Sequence, residues 1–221
     1  FLRNFKNMGY ENFKIDDFYL LVNLIVCLFM FLGIRLSYKY QYIFGKCVSN
    51  EKTSIPHGDM IRGFGILYLI SIIAIIVQFN FYFTIQEIVL VIASVLLGFF
   101  DDKVNISQKY KVLILTLIYI IFSFCKFTDL NIYNLIYSYF TFIFLVLFFN
   151  QIDGIDGLAG SNFLIVLILF VFYMGGGFIL APIFLVTIIY LYFNLFTNIG
   201  IRGESGSFFF GSIIYILFIE K

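Results

Sequence analysis

The sequence predicts an all-α, polytopic transmembrane helical bundle of about eight spans. Of its 221 residues, 62% are hydrophobic and only 12% are charged. The mean hydropathy is +1.02, which no ordinary soluble domain reaches. The apolar residues form long runs separated by polar segments, a pattern typical of successive membrane helices. We expect a single integral membrane domain over residues 1–221.

The predicted elements follow in order after a polar N-terminal segment, residues 1–17, that we expect to lie at a surface. Some of the apolar runs are shorter than the ~20 residues of a perpendicular span. The predicted spans cover about 18–34, 64–79, 82–100, 112–124, 132–149, 163–174, 178–196 and 208–219.

Eight spans would place four polar loops on one face, and we expect these to be the catalytic loops. They cover about 35–63, 101–111, 150–161 and 197–207 and carry nine of the 14 lysines and arginines. The positive-inside rule assigns this face to the cytoplasm. We therefore expect a multi-pass protein of the inner (plasma) membrane with its active site facing the cytoplasm. A net charge of +1 gives no argument for nucleic-acid binding.

The stretch NQIDGIDGLAGS, residues 150–161, is the most informative polar segment. Asp153 and Asp156 are three residues apart, which would place both on one face of a helical turn. Carboxylates next to a bilayer are costly and need a cation or a hydrogen-bond donor. We interpret the stretch as a catalytic loop; the alternative is a polar turn that uses glycines for its geometry.

Asp101 and Asp102 directly follow the third apolar run. Adjacent carboxylates repel, and at a helix C-terminus they also oppose the macrodipole. A bound cation, or Lys103 and Lys109, would neutralise them. The alternative is a solvated acid pair that ends a span.

The sequence GESGS, residues 203–207, precedes the last apolar run. A glycine- and serine-rich turn at a helix N-terminus presents free backbone N–H groups that suit a phosphate. Glu204 adds an oxygen ligand suited to Mg²⁺. The alternative is a helix cap formed by Ser205 or Ser207.

Three further residues have simpler interpretations. Arg62 is suited to hold a phosphate bidentately. His57, the single histidine, fits a solvated loop residue better than a ligand. Glu87 is interpreted as an interfacial residue at the outer end of its span. Carboxylates with Mg²⁺ and basic residues are the usual machinery of phosphoryl transfer, and the membrane setting suggests a lipid substrate.

The chain resembles the polyprenyl-phosphate N-acetylhexosamine-1-phosphate transferases, which are similar to glycosyltransferase family 4. The matching pieces are LLGFFDDKVNISQKYK, FFNQIDGIDGLAGS and GESGSFFFG, in that order, preceded by an arginine-glycine element at 62–65. This resemblance spans about residues 35–212. It implies that a polyprenyl phosphate attacks the sugar-linked phosphate of a UDP-N-acetylsugar with Mg²⁺, releasing UMP and starting a lipid-linked glycan of the cell envelope.

The resemblance also implies residue roles, to which the loop analysis adds the phosphate contacts. The expected catalytic residues are Asp101, Asp102, Lys109, Asp153 and Asp156. The expected substrate-binding residues are Asn150, Arg62, Gly203 and Ser207. The expected Mg²⁺ ligands are Glu204 and Asp156. A homodimer is left open.

Departures from the family pattern leave a second function open. Glu204 stands where the family has Asp, which moves the carboxylate by one methylene, and Leu147 stands where the family usually has Asn. Family members also continue past Lys221, so we expect a fragment or a shortened member of a longer family fold. The alternative function is an inactive relative that binds lipid phosphate or a partner. A transporter is disfavoured because transporter sites lie near the bilayer midplane, whereas these acids cluster at span ends.

Overall fold

The computed structural model describes residues 17–40, 46–47, 60–61, 64–79, 82–126, 131–153, 157–174, 179–196 and 203–220. Within these residues the prediction of an all-helical protein is confirmed, apart from one short ribbon. In that ribbon β1 (Lys46–Cys47) pairs antiparallel with β2 (Met60–Ile61). Arg62, His57 and Asp156 lie outside the described residues.

Helices occupy each of the eight predicted apolar runs. The α-helices of the described chain are α1 (Asp17–Lys39), α2 (Leu69–Phe79), α3 (Ile85–Val104), α4 (Gln108–Lys126), α5 (Ile132–Ile152), α6 (Leu158–Met174), α7 (Ala181–Phe196) and α8 (Glu204–Tyr215). A 3₁₀ helix (Phe64–Tyr68) leads into α2, and a π-helix (Ile216–Glu220) continues α8.

Three helical stretches of the described chain are long and apolar enough to cross a membrane: Phe18–Ser37, Gln108–Lys126 and Ile132–Ile152. Four other apolar helices have only 10–17 residues. The outer surface carries large apolar side chains such as Phe124 and Phe172, which are 79% and 84% exposed. Such a surface suits lipid better than water. The hydrophobic helices thus indicate a membrane protein, with eight α-helices in the described residues, three of which have the length and composition of a span.

The most deeply buried element is α8. Every residue from Ser205 to Leu217 is buried, because α8 packs against α3, α5, α6 and the 3₁₀ helix. The segment SFFFGSIIY is apolar around its whole circumference, which predicts a helix enclosed on all sides. The ring of Phe210 stacks on that of Phe163 with 4.2 Å between centroids.

Two glycines allow neighbouring helices to approach α8 closely. A Cβ atom on Gly98 of α3 would lie 2.6 Å from the Cα atom of Ser205. A Cβ atom on Gly211 of α8 would lie 2.5 Å from the Cα atom of Val146 on α5. Small residues at such crossings bring helix backbones into contact, as is common in membrane proteins. These contacts bring the ends of α3 and α5 to the start of α8.

The helices extend further into the predicted loops than the hydropathy pattern indicated. Only residues 105–107 separate α3 from α4, so Asp101 and Asp102 lie in the last turn of α3. Asn105 ends this helix with φ 52°, a left-handed conformation that asparagine tolerates. Asn150 belongs to α5, and Glu204 begins α8. The described parts of the expected catalytic loops 101–111 and 150–161 are therefore largely helix ends.

A buried ion pair joins α3 and α4 at the end remote from these acids. Thr84 and Glu87 form a capping box at the start of α3: the Thr84 N–H donates to Glu87 Oε2 at 2.8 Å, and the Glu87 N–H to Thr84 Oγ1 at 3.4 Å. Glu87 Oε1 lies 2.7 Å from Lys126 Nζ in the last turn of α4. The Glu87 side chain is 1% exposed, so this residue, predicted to lie at the membrane interface, makes a buried interhelical contact.

Candidate active site

Lys111 connects two of the predicted acidic residues. Its ammonium nitrogen lies 2.5 Å from Asp101 Oδ2 and donates to both carboxylate oxygens of Glu204, at 2.6 and 2.8 Å. The side chains of Lys111 and Asp101 are 5% and 1% exposed, whereas that of Glu204 is 31% exposed. Glu204 is therefore the most accessible member of the cluster.

The turn between α3 and α4 places Lys111 in this position. Asp101 Oδ1 accepts the N–H of Ile106 at 2.5 Å, and its carbonyl accepts the N–H of Asn105 at 2.8 Å. One aspartate thus holds the connecting turn with its backbone and one oxygen, while its other oxygen faces Lys111. Burial of this carboxylate is tolerated because Oδ1 accepts a backbone N–H and the charge is paired with the Lys111 ammonium, although Oδ2 itself has no hydrogen bond of good geometry.

The Glu204 carboxyl has a pKa raised from 4.5 to about 8. Burial is the main cause, and the neighbouring Asp101 carboxyl raises the pKa further, while Lys111 opposes both effects. One ammonium cannot neutralise two carboxylates in contact with it. The cluster therefore has capacity for one additional positive charge, either a proton or a cation.

Asp102 contacts the N-terminus of α8. Its Oδ1 accepts the N–H of Glu204 at 2.8 Å, and its Oδ2 accepts the N–H and O–H of Ser205 at 3.3 and 3.1 Å. We expected these N–H groups to be free for a phosphate, and this is wrong for Glu204 and Ser205 because both already donate to Asp102. Neither predicted serine caps the helix; the N-cap residue is Gly203.

Asn150 contacts the start of α8 through Ser207. The Ser207 hydroxyl is within hydrogen-bonding distance of Asn150 Oδ1 at 3.2 Å and of the Glu204 carbonyl at 2.9 Å. Asp153 ends α5 and donates its N–H to the Phe149 carbonyl at 3.1 Å. The structure thus brings Asp101, Asp102, Asn150, Glu204 and Ser207 together at the start of α8.

The far end of the NQIDGIDG stretch is held by a residue that the sequence analysis did not select. Asn194 of α7 is buried, and its Oδ1 accepts the N–H of Gly157 at 2.5 Å. Gly157 has φ +73°, a conformation that glycine adopts without strain. This contact fixes the point where the stretch enters α6.

Neither predicted lysine, Lys103 or Lys109, contacts an acidic side chain among the residues that the structure describes. Lys109 is exposed on α4, and Lys103 lies over the ring of Phe99, 4.3 Å from its centroid. Lys111 was missed, although a signal was present. It belongs to a stripe of buried positions on α4, at 111, 115, 119 and 122. This spacing follows the helical repeat, and position 109 falls outside the stripe.

Within the described part of the chain, no group of three or more Asp, Glu, His or Cys side chains is arranged to hold a metal. The oxygen donors nevertheless fit Mg²⁺, which commonly uses one or two carboxylates together with substrate phosphates and water. The partly exposed Glu204 is the carboxylate best placed for this role. Its second expected ligand, Asp156, lies outside the described residues.

The described part of the chain is a helix bundle with apolar outer surfaces and a lysine-bridged pair of carboxylates at one end, which fits the class of helical membrane proteins. The sequence profile of glycosyl transferase family 4 matches residues 84–221, more than half of the chain. The chain belongs to this family, which confirms the resemblance found in the sequence. Membership supports a transferase and suggests transfer of a phospho-sugar to a lipid phosphate. No curated protein matches the chain in sequence.

Proposed function

We propose that the protein transfers a sugar-1-phosphate from a UDP-N-acetylsugar to a polyprenyl phosphate at a membrane surface. The observation that carries the proposal is the cluster of Lys111, Asp101 and Glu204. Lys111 and Asp101 are buried and Glu204 is partly exposed, at the end of a helix bundle that has apolar outer surfaces. Such preorganised charge is what phosphoryl transfer requires.

The proposed reaction forms one phosphorus–oxygen bond and breaks another. An oxygen of the lipid phosphate attacks the phosphorus that carries the sugar, and the bond from that phosphorus to the UMP oxygen breaks. The products are UMP and a polyprenyl-diphosphate sugar. A bound Mg²⁺ ion supplies charge neutralisation on the diphosphate; Glu204 and Asp156 are the residues that would hold it.

The other residues would bind and orient the substrates. Lys111 is placed to donate to phosphate oxygens once its contacts with Glu204 loosen, and Asp101 keeps its ammonium at the cluster. Asn150, Asp153 and Ser207 would contact the nucleotide side, while Arg62 and Gly203 are proposed to contact phosphate. Lys109, exposed on α4, remains a predicted catalytic residue whose role mutagenesis would have to establish.

The inner membrane and its cytoplasmic face are part of the same proposal. They rest on the basic residues of the polar segments, under the positive-inside rule. Accessibility labelling of an engineered cysteine at exposed position 109, in intact cells and in inverted vesicles, tests this orientation. Labelling restricted to inverted vesicles is the expected result.

The experiment that tests the reaction is UMP release by the purified protein in detergent. Undecaprenyl phosphate is combined with a panel of UDP-N-acetylsugars, with Mg²⁺ or with EDTA. Release that needs both the lipid and Mg²⁺ supports the proposal and names the sugar. Full activity in an Asp156→Asn protein, or release that persists in EDTA, contradicts it.

One observation favours a second candidate function, a relative that binds lipid phosphate or a partner without turnover. Lys111 donates to both oxygens of Glu204, and so competes with a metal for that carboxylate. Binding of a UDP-sugar without UMP release, under every combination of lipid and Mg²⁺, is the result that this candidate predicts.

A further inference from the structure

We propose that Asp102 is a positioning residue that anchors the N-terminus of α8 from the end of α3 and thereby sets the place of Glu204. The inference rests on the proposed function, and it differs from the expected catalytic role in which Asp102 contacts a substrate. Its basis is the set of three hydrogen bonds that the buried Asp102 carboxylate accepts from Glu204 and Ser205.

The start of α8 needs such a partner. The first N–H groups of an α-helix have no acceptor within the helix, and Ser, Thr, Asp or Asn at the N-cap usually provides one. Here the N-cap is Gly203, which has no side chain to accept a hydrogen bond. The Asp102 carboxylate supplies the missing acceptor from another helix. Its negative charge also lies at the positive end of the α8 macrodipole, where an anion is favourable.

Ser205 extends this anchor to a third element. Its hydroxyl donates to Asp102 Oδ2 at 3.1 Å, and its oxygen accepts the N–H of Gly65 at 3.1 Å. Ser205 is fully buried, so water does not compete for either bond. This one hydroxyl group therefore links three elements: the C-terminal turn of α3, the 3₁₀ helix and the first turn of α8.

Backbone contact brings Asp102 within reach. Gly98 lies one turn before Asp102 on the same face of α3, and a side chain there would meet the backbone of Glu204 and Ser205. With α3 and α8 this close, the short aspartate side chain spans the gap. Asp102 is only 7% exposed and both its oxygens are in use, which suits an anchor and leaves little room for a substrate phosphate.

The test uses the full chain in detergent and the variant Asp102→Asn, with two readouts. The first is amide hydrogen exchange of the peptide covering residues 203–208, measured without substrate. Exchange there is expected to become faster, because the Asn amide group offers donors where Asp102 accepts. This readout does not depend on activity.

The second readout is the Mg²⁺ concentration that gives half-maximal UMP release. It is expected to rise about 10- to 100-fold, the usual effect of losing a residue that orients a metal ligand, while KM for the lipid stays constant. Asn131→Ala is the matched control. It removes the N-cap of α5, about 30 Å along that helix from Asn150, and should change neither readout. If Asp102→Asn does not fold, Ser205→Ala should give smaller changes in both.

Unchanged exchange at 203–208 in a folded Asp102→Asn protein overturns the inference. So does a rise in KM for the lipid with an unchanged Mg²⁺ requirement, because that pattern identifies Asp102 as a substrate contact. Faster exchange in a protein whose wild type releases no UMP from any sugar contradicts the proposed function and leaves the anchoring role of Asp102 supported.

Discussion

Replacing Lys111 by methionine tests the central cluster most directly. The ammonium is the group that contacts both Asp101 and Glu204, so its loss leaves the buried Asp101 carboxylate beside the Glu204 carboxyl without a counter-ion. Removing one partner of a buried ion pair costs about 3–5 kcal/mol. We expect the free energy of unfolding to fall by about 3 kcal/mol, the lower end, because Glu204 is partly exposed and readily takes up a proton.

The effect on catalysis should exceed the effect on folding. If Lys111 stabilises developing charge on the phosphates, its loss should lower kcat for UMP release by about 10²- to 10³-fold, as for other single preorganised donors. Thermal unfolding in detergent gives the stability change, and UMP release at a temperature where the variant is folded gives kcat.

Lys109→Met is the matched comparison, because it makes the same substitution two residues earlier on the exposed side of α4. An exposed charge contributes at most about 1 kcal/mol, so its stability should stay near that of the wild type, and its kcat decides which of the two lysines serves the reaction. A large loss of kcat in Lys109→Met, with Lys111→Met active, would refute the reasoning and restore the lysine selected from the sequence.

Three further outcomes are expected. Raising the pH from about 5 to 8 should lower the melting temperature, because Glu204, with its pKa of about 8, keeps a proton in the folded state that the unfolded state has lost. The melting temperature of Glu204→Gln should fall less steeply with pH. Equal falls in the variant and the wild type would contradict the role assigned to Glu204. Gly211→Ala should lower the melting temperature strongly, since its Cβ would lie 2.5 Å from the Cα atom of Val146; an unchanged melting temperature would show that α5 and α8 separate easily. Asn194→Ala leaves the Gly157 N–H without its acceptor, at a cost of about 1–3 kcal/mol; faster amide exchange at residues 157–160 is the check, and unchanged exchange there would count against this role.

The sequence was sufficient to predict the helices, because long apolar runs and polar breaks are local properties. It did not predict where they end: hydropathy falls at Asp101, whereas the helix continues to Val104 because backbone hydrogen bonding does not depend on side-chain polarity. Nor did it show that α8 is the central helix. A helix that faces lipid and a helix that is buried in the protein can have the same apolar composition, and only their packing distinguishes them.

The site was predictable in its acids and not in their contacts. Asp101, Asp102 and Glu204 were selected from motifs, yet the bond from Glu204 to Asp102 joins positions 102 residues apart. No local pattern encodes such a pairing. Lys111 was accessible in principle, since the buried stripe of α4 contains it, but the family resemblance pointed to Lys109 instead.

The ion pair between Glu87 and Lys126 has a consequence for how α3 and α4 hold together. Together with the contact between Asp101 and Lys111, it ties both ends of α3 to both ends of α4. A buried charge without a partner is costly, and each of these four charges has its partner on the adjoining helix, at most 39 residues away along the chain. The two helices therefore neutralise each other's charges as a pair, whatever packs against them afterwards.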